Sequence, residues 1–156
     1  MFIDGNLEFA DNAAVADASS DTLIGSAKQI RSQTGDNATV DFSAGEPLYV
    51  VIEVTTAVAA VTNYEFKLWT DADSGVISGG TQLWSSGVQA VANYPAGKRF
   101  IINLPEGSYE EYLGISGAAS GADSDGATGN INAFITKDVS NWQGTATRVP
   151  ATDPAT

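Results

Sequence analysis

The stretch LYVVIEV, Leu48–Val54, is a nearly continuous apolar run rich in β-branched residues. β-Branched side chains favour extended backbone. A strand without polar alternation is typical of one whose two faces are both covered. The run therefore predicts a central strand of a sheet with material packed on each side.

Shorter runs on both sides of this stretch also read as strands. MFIDGNLEF (1–9) and YEFKLWT (64–70) alternate between apolar and polar residues, which indicates half-buried strands. In the second of these, Trp69 shares the polar face with Glu65 and Lys67, whereas Tyr64, Phe66 and Leu68 form the apolar face. The other candidates are ATVDF (38–42), TQLWSS (81–86) with Trp84 in the core, RFIINL (99–104), EYLGIS (111–116) and NINAFIT (130–136).

Turn residues separate these runs and leave little room for helix. Pro and Gly at 94–97 and 104–107 suit type I turns, and the Gly/Ser/Ala/Asp stretch 117–129 reads as a flexible loop. Only residues 9–18, rich in alanine, could form a helical turn or two. We predict an all-β jelly-roll β-sandwich of about eight antiparallel strands over 1–143, followed by a flexible C-terminal tail over 144–156.

Composition excludes several classes of function. The 156 residues include no cysteine and no histidine, so a disulfide, a thiolate or histidine metal site and a Ser-His-Asp triad are all excluded. A net charge of −12 disfavours nucleic acid and anionic membranes as partners. The start MFIDGNLEF does not resemble a secretion signal, and no run reaches the length of a membrane span.

Closely spaced carboxylates are the nearest approach to a chemical site. The pairs are Asp71/Asp73, Asp123/Asp125 and Glu110/Glu111. Two acids on one loop rarely face each other across a substrate, so we do not predict an enzyme. An EF-hand register counted from Asp71 puts valine and glutamine where glycine and glutamate are needed. We predict no cofactor, and whether an irregular Asp loop binds calcium stays open beside the simpler reading as turns.

Exposed aromatic residues are the remaining candidates for a binding surface. We assign Phe2 in the N-terminal strand, Trp69 on the polar face of its strand and Trp142 beyond the last strand as candidate protein-interface residues. An alternative is a calcium-assisted carbohydrate-binding sandwich that uses Trp69 or Trp142 as a stacking platform.

Several pieces of the chain, taken in order, resemble the jelly-roll capsid cement (decoration) proteins of tailed bacteriophages. The resemblance covers residues 7–142 and rests on the order and spacing of the pieces. They are LEFADNAAV (7–15), DTLIG (21–25), GEPLYVVIEV (45–54), LWSSG (83–87), PAGKRFIINLP (95–105), EEYLGIS (110–116) and GNINAFITKDVSNW (129–142). One departure is the long basic segment within 19–35.

The resemblance implies a structural protein without catalytic residues. Another phage structural protein, of the tail or neck, is a further alternative. Its partners would be the major capsid protein and further copies of itself, as a homotrimer or alternatively a dimer. It would be made in the host cytoplasm and reside on the outer capsid surface of the virion, where it bridges neighbouring capsid subunits.

Overall fold

A computed structural model of the chain describes residues 7–30, 47–104, 109–140 and 147–150, the last four as backbone. Ten β-strands and a 3-10 turn account for most of these residues. They are β1 (Glu8–Ala14), β2 (Thr22–Gln29), β3 (Leu48–Ala59), β4 (Asn63–Asp71), β5 (Thr81–Ser85), β6 (Gln89–Ala90), the 3-10 turn (Val91–Asn93), β7 (Arg99–Leu104), β8 (Tyr112–Ser120), β9 (Thr128–Thr136) and β10 (Thr147–Pro150).

The strands form two sheets that pack face to face. Sheet I has the order β1-β9-β3-β7-β10, and sheet II has the order β2-β8-β4-β5, with β6 also paired to β4. From β1 to β9 the chain changes sheet at each step except along β4, β5 and β6. The predicted all-β sandwich is confirmed. The strand order supports the jelly-roll assignment, which stays a prediction.

Strand β3 lies in the middle of sheet I, between β9 and β7. Its inward side chains enter the core, and the outward Val51 is as buried as they are, with no exposed surface. The prediction from LYVVIEV that this strand is covered on both faces is therefore confirmed. The centre of the outward face of sheet I is thus packed and not solvated.

The core between the sheets contains a group of aromatic rings. Tyr64, Phe66, Tyr94 and Phe100 stack with edge-on or tilted rings, and Trp84 joins them 5.4 Å from Phe100. Trp84 is 6% exposed, as predicted for a core residue. The Tyr64 hydroxyl donates to the Ala16 carbonyl at 3.0 Å, so its polar end is satisfied inside the core.

One glycine is required by this packing. A Cβ added to Gly117 would lie 2.0 Å from the Tyr64 hydroxyl oxygen, which is too close for any side chain. Any larger residue at position 117 of β8 would displace the Tyr64 side chain. Glycine at this position therefore allows the Tyr64 ring to pack against β8.

The structure differs from the sequence prediction in several places. The described residues contain ten strands, of which the short β6 and β10 go beyond the predicted number of about eight. Strand β10 pairs with β7 in parallel, whereas the other pairs among these strands are antiparallel. Strand β10 lies inside the predicted tail 144–156. The loop predicted over 117–129 is shorter, because β8 continues to Ser120 and β9 starts at Thr128.

The helical turn considered for residues 9–18 is wrong over its first half. Residues 8–14 form β1, which pairs with β9 and buries Phe9 and Ala10. This tertiary pairing outweighs the helix preference of the alanines. Strand β2 was not predicted as a strand, and the candidate strand ATVDF (38–42) lies outside the described residues.

Candidate interaction surfaces

Of the three predicted interface residues, Trp69 alone lies in the described part of the chain. Phe2 and Trp142 lie outside it. The outward faces of the two sheets are the candidate interaction surfaces of the described residues.

Trp69 lies on the outward face of sheet II, as its alternation with Phe66 and Leu68 predicted. The side chain is partly buried, and its indole N–H donates to the Ser116 hydroxyl at 2.8 Å. Ser116 is fully buried although it also points outward from β8. A sugar-stacking platform needs an open ring face, and the Trp69 side chain is only partly exposed. At Trp69 the polar edge is already occupied from within the chain.

The segment after β4 folds back onto the same face. Val76, in the loop between β4 and β5, is fully buried. It occupies the space above Gly114, where an added Cβ would lie 2.4 Å from the Val76 Cγ2 and 3.0 Å from the Leu23 Cδ1. Gly114 is the register partner of Trp69. This end of the face is therefore closed by the chain's own loop.

A charged network occupies the rest of the outward face of sheet II. The Lys67 ammonium lies 2.9 Å from the Asp21 carboxylate and 3.4 Å from that of Glu65. Glu65 also accepts a hydrogen bond from the Ser85 hydroxyl, and Asp21 accepts one from Ser116 at 3.3 Å. One ammonium facing two carboxylates leaves this network with a negative charge, which favours a cationic partner surface.

The pKa of Lys67 reflects this setting. Burial lowers the pKa of the ammonium, but the hydrogen bond and charge of Asp21 and the charge of Glu65 outweigh it, so the pKa is raised above its ordinary value. Lys67 is thus held in its charged form at neutral pH. Its role is to neutralise part of the acidic surface.

The outward face of sheet I is apolar at its centre. Phe134 of β9, Val51 of β3 and Ile101 of β7 are direct register partners and form one row across three strands. With Val139, which follows β9, they make a buried cluster separate from the main core. We call these four residues the outer apolar row. Tyr49 packs beside it.

Polar groups flank the outer apolar row on both sides. The Arg99 guanidinium lies 2.7 Å from the Glu53 carboxylate, one step along the strands. Toward the β1 edge, Asn12 accepts a hydrogen bond from Thr55 through its side chain and donates its backbone N–H to the Asn132 side chain at 2.7 Å. These contacts satisfy the polar groups internally. The sequence analysis did not predict these polar contacts, although it predicted that β3 is covered on both faces.

The acidic loops of the described chain serve as turns. Asp17 accepts hydrogen bonds from the backbone N–H groups of Gly126 and Ala127, which fixes the loop before β9. The Asp73 N–H donates to the Asp71 side chain at 3.3 Å, as in an Asx turn. Among the residues that the structure describes, no group of three acidic side chains is arranged to hold a metal ion.

The described residues include no helix that is long and apolar enough to cross a membrane. The fold and its two outward faces thus define a member of the all-β sandwich class. No protein-family model and no curated protein matches the chain.

Proposed function

We propose that this protein is a structural component of a tailed phage that binds the outer surface of the icosahedral capsid and cements neighbouring major capsid subunits. The observation that carries the proposal is the order of the family-like sequence pieces. They fall on β1, β2, β3, β5, β7, β8 and β9 in turn, within a sandwich whose strand order suits a jelly roll.

The outward faces support a role in which surface contacts matter more than chemistry. Several polar side chains of these faces are engaged with one another, as in the Lys67 network and the Arg99–Glu53 pair. Such a surface can bind a partner through complementary shape and charge. Val88, at 59% exposed, is the one large apolar side chain strongly exposed among the described residues. Phe2, Trp69 and Trp142 remain the proposed aromatic contacts.

Binding strength would come from area and valency. A stable interface buries about 800 Å² on each partner. A homotrimer, or alternatively a dimer, would engage several capsid subunits at once, and all contacts must open together before the protein leaves. This arrangement resists the outward pressure of packaged DNA by linking neighbouring subunits across their joints.

The net charge of −12 predicts the salt dependence of this binding. Cosedimentation with empty expanded capsid shells that lack the protein tests the proposal. We expect saturable binding at low salt that weakens by at least tenfold between about 50 and 500 mM salt, because basic patches on the shell would be screened.

A matched control keeps the fold and changes the charge of one surface. Glu65→Gln removes one of the two carboxylates around Lys67. If this face contacts the shell, the variant should show a weaker dependence of binding on salt. Glu110→Gln, which lies outside this network, should leave the salt dependence unchanged. Absence of binding at low salt would contradict the capsid function. Full retention at molar salt would contradict the electrostatic part alone.

A further inference from the structure

The edge strands of the two sheets differ in regularity. The pairing of β1 with β9, of β2 with β8 and of β5 with β4 is interrupted by register shifts. The six residues of β7 pair with β3 without any shift. Irregular edges resist the addition of another strand, whereas a straight edge accepts one. Strand β7 is therefore the edge of the four-stranded core sheet β1-β9-β3-β7 that is suited to receive an extended segment.

Strand β10 occupies this edge in an unusual way. Thr147, Arg148, Val149 and Pro150 pair in parallel with the four consecutive residues from Phe100 to Asn103. It adds four residues of strand and lies at the outside of sheet I. A four-residue strand that pairs with one neighbour only can leave and rejoin the edge without disturbing the core.

The connection to β10 is longer than it needs to be. Strand β10 lies three strand positions from β9, about 14 Å across the sheet, and its start is about 10 Å back along the strands. The ten residues 137–146 can extend to about 33 Å. About half of this reach is unused when β10 pairs within its own chain.

We propose that β7 is a strand-acceptor edge and that, in the assembled oligomer, it is filled by β10 of a second copy of this chain. The chain leaves β9 over the outward face of sheet I, where Val139 packs on the outer apolar row. From there the connection is long enough for β10 to reach the β7 edge of a neighbouring subunit. In a dimer the two subunits would exchange β10 reciprocally, and in a ring each subunit would donate β10 to the next.

Exchange makes the same contacts as pairing within one chain. The hydrogen bonds along β7 and the parallel register are identical in both arrangements, so the choice is set by the local concentration of neighbours and by strain in the connection. The inference deepens the proposed function, on which it rests for its setting: subunits linked by exchanged strands would leave a shell only after several edges open.

Cysteine pairs test the exchange, because the chain has no cysteine of its own. Asn103 is exposed on β7, and Pro150 is its register partner on β10. Adjacent strands place such partners within disulfide range. Asn103→Cys in one preparation is mixed with Pro150→Cys in a second preparation that carries a size tag, and both are oxidised gently. A disulfide between the two sizes requires β10 of one copy on β7 of another.

Asp11→Cys is the matched control partner for Pro150→Cys, because Asp11 is exposed on β1 at the opposite edge of sheet I. We expect at least fivefold more mixed disulfide with Asn103→Cys than with Asp11→Cys. We also expect the unmodified protein to scatter light as an oligomer and to lose that mass when residues 147–156 are removed, with its β-sheet circular dichroism retained.

Two results would overturn the proposal. One is mixed disulfide no higher than the Asp11→Cys control, while a chain carrying both Asn103→Cys and Pro150→Cys closes within itself. The other is an oligomer whose mass is unchanged by removal of residues 147–156. Both measurements use purified protein without shells. A protein that fails them and still cosediments with shells would retain the proposed function and lose strand exchange alone.

Discussion

The outward faces of the two sheets bury their residues by different means. On sheet I the outer apolar row is covered by packing, and Val51, Ile101 and Phe134 are at most 1% exposed. On sheet II, Trp69 and the loop residue Val76 share the outward face with charged side chains, and the buried Ser116 hydroxyl bonds to both Trp69 and Asp21. The first face should contribute to stability mainly through apolar contact, and the second mainly through matched hydrogen bonds and charges. Substitutions on the two faces should therefore differ in size and in how they combine.

The largest effect is expected on sheet I. Phe134→Ala should lower the free energy of unfolding by about 3–5 kcal/mol, because it removes a buried ring and leaves a cavity beside Val51. Urea denaturation followed by circular dichroism measures this change, with an unchanged denaturant slope as the check on two-state unfolding.

Val88→Ala serves as the control for apolar surface without packing, since Val88 is 59% exposed. It should change the free energy of unfolding by less than about 0.5 kcal/mol. A cost below about 1 kcal/mol for Phe134→Ala would mean that the outer apolar row is not packed as the structure shows, and the contrast between the two faces would fail.

The burial on sheet I could be predicted from the sequence more fully than the side-chain contacts on sheet II. LYVVIEV predicted burial of both faces of β3, because continuous apolar residues have no other explanation in a strand. The alternation in β4 predicted the direction of Trp69 correctly. It could not predict that Ser116, distant in sequence, would satisfy the indole, because that contact depends on the register of β4 with β8.

The strands that the sequence did not predict also depend on contacts with residues that are distant in sequence. Strand β10 is four residues long and lacks an apolar pattern, so only its partner β7 identifies it as a strand. Alanine-rich β1 was ambiguous for the same reason, since pairing with β9 decides its conformation. The loop after Asp123 and Asp125 is held by Asp17, more than one hundred residues away in sequence, a contact that no local pattern indicates.

A smaller effect is expected at the hydrogen bond between Trp69 and Ser116 on sheet II. Ser116→Ala should cost about 1–2 kcal/mol, because the indole N–H loses its partner at a partly buried site. Adding Trp69→Phe should cost less than the sum of the two single changes, since the unsatisfied donor is then gone. Costs that simply add would show that the hydrogen bond does not stabilise the folded protein.

The smallest effects are expected for the two ion pairs, and pH should separate them. Arg99–Glu53 on sheet I and Lys67–Asp21 on sheet II are both partly exposed, so each coupling should be about 0.2–1 kcal/mol. Double-mutant cycles with Arg99→Gln and Glu53→Gln, and with Lys67→Met and Asp21→Asn, measure the two couplings by urea denaturation. The pH series then compares the cycles at neutral and alkaline pH.

Because the pKa of Lys67 is raised in the folded protein, its pair contributes fully below the ordinary lysine value of 10.5 and is lost as pH rises through the folded value. The guanidinium of Arg99 stays charged throughout this range, so its coupling should persist. Burial also raises the pKa of Tyr64 and of Tyr94. Total stability therefore falls with pH in every variant, and only the cycles isolate the pairs. If both couplings declined together, alkaline loosening of the core would be the cause, and deprotonation of Lys67 would not.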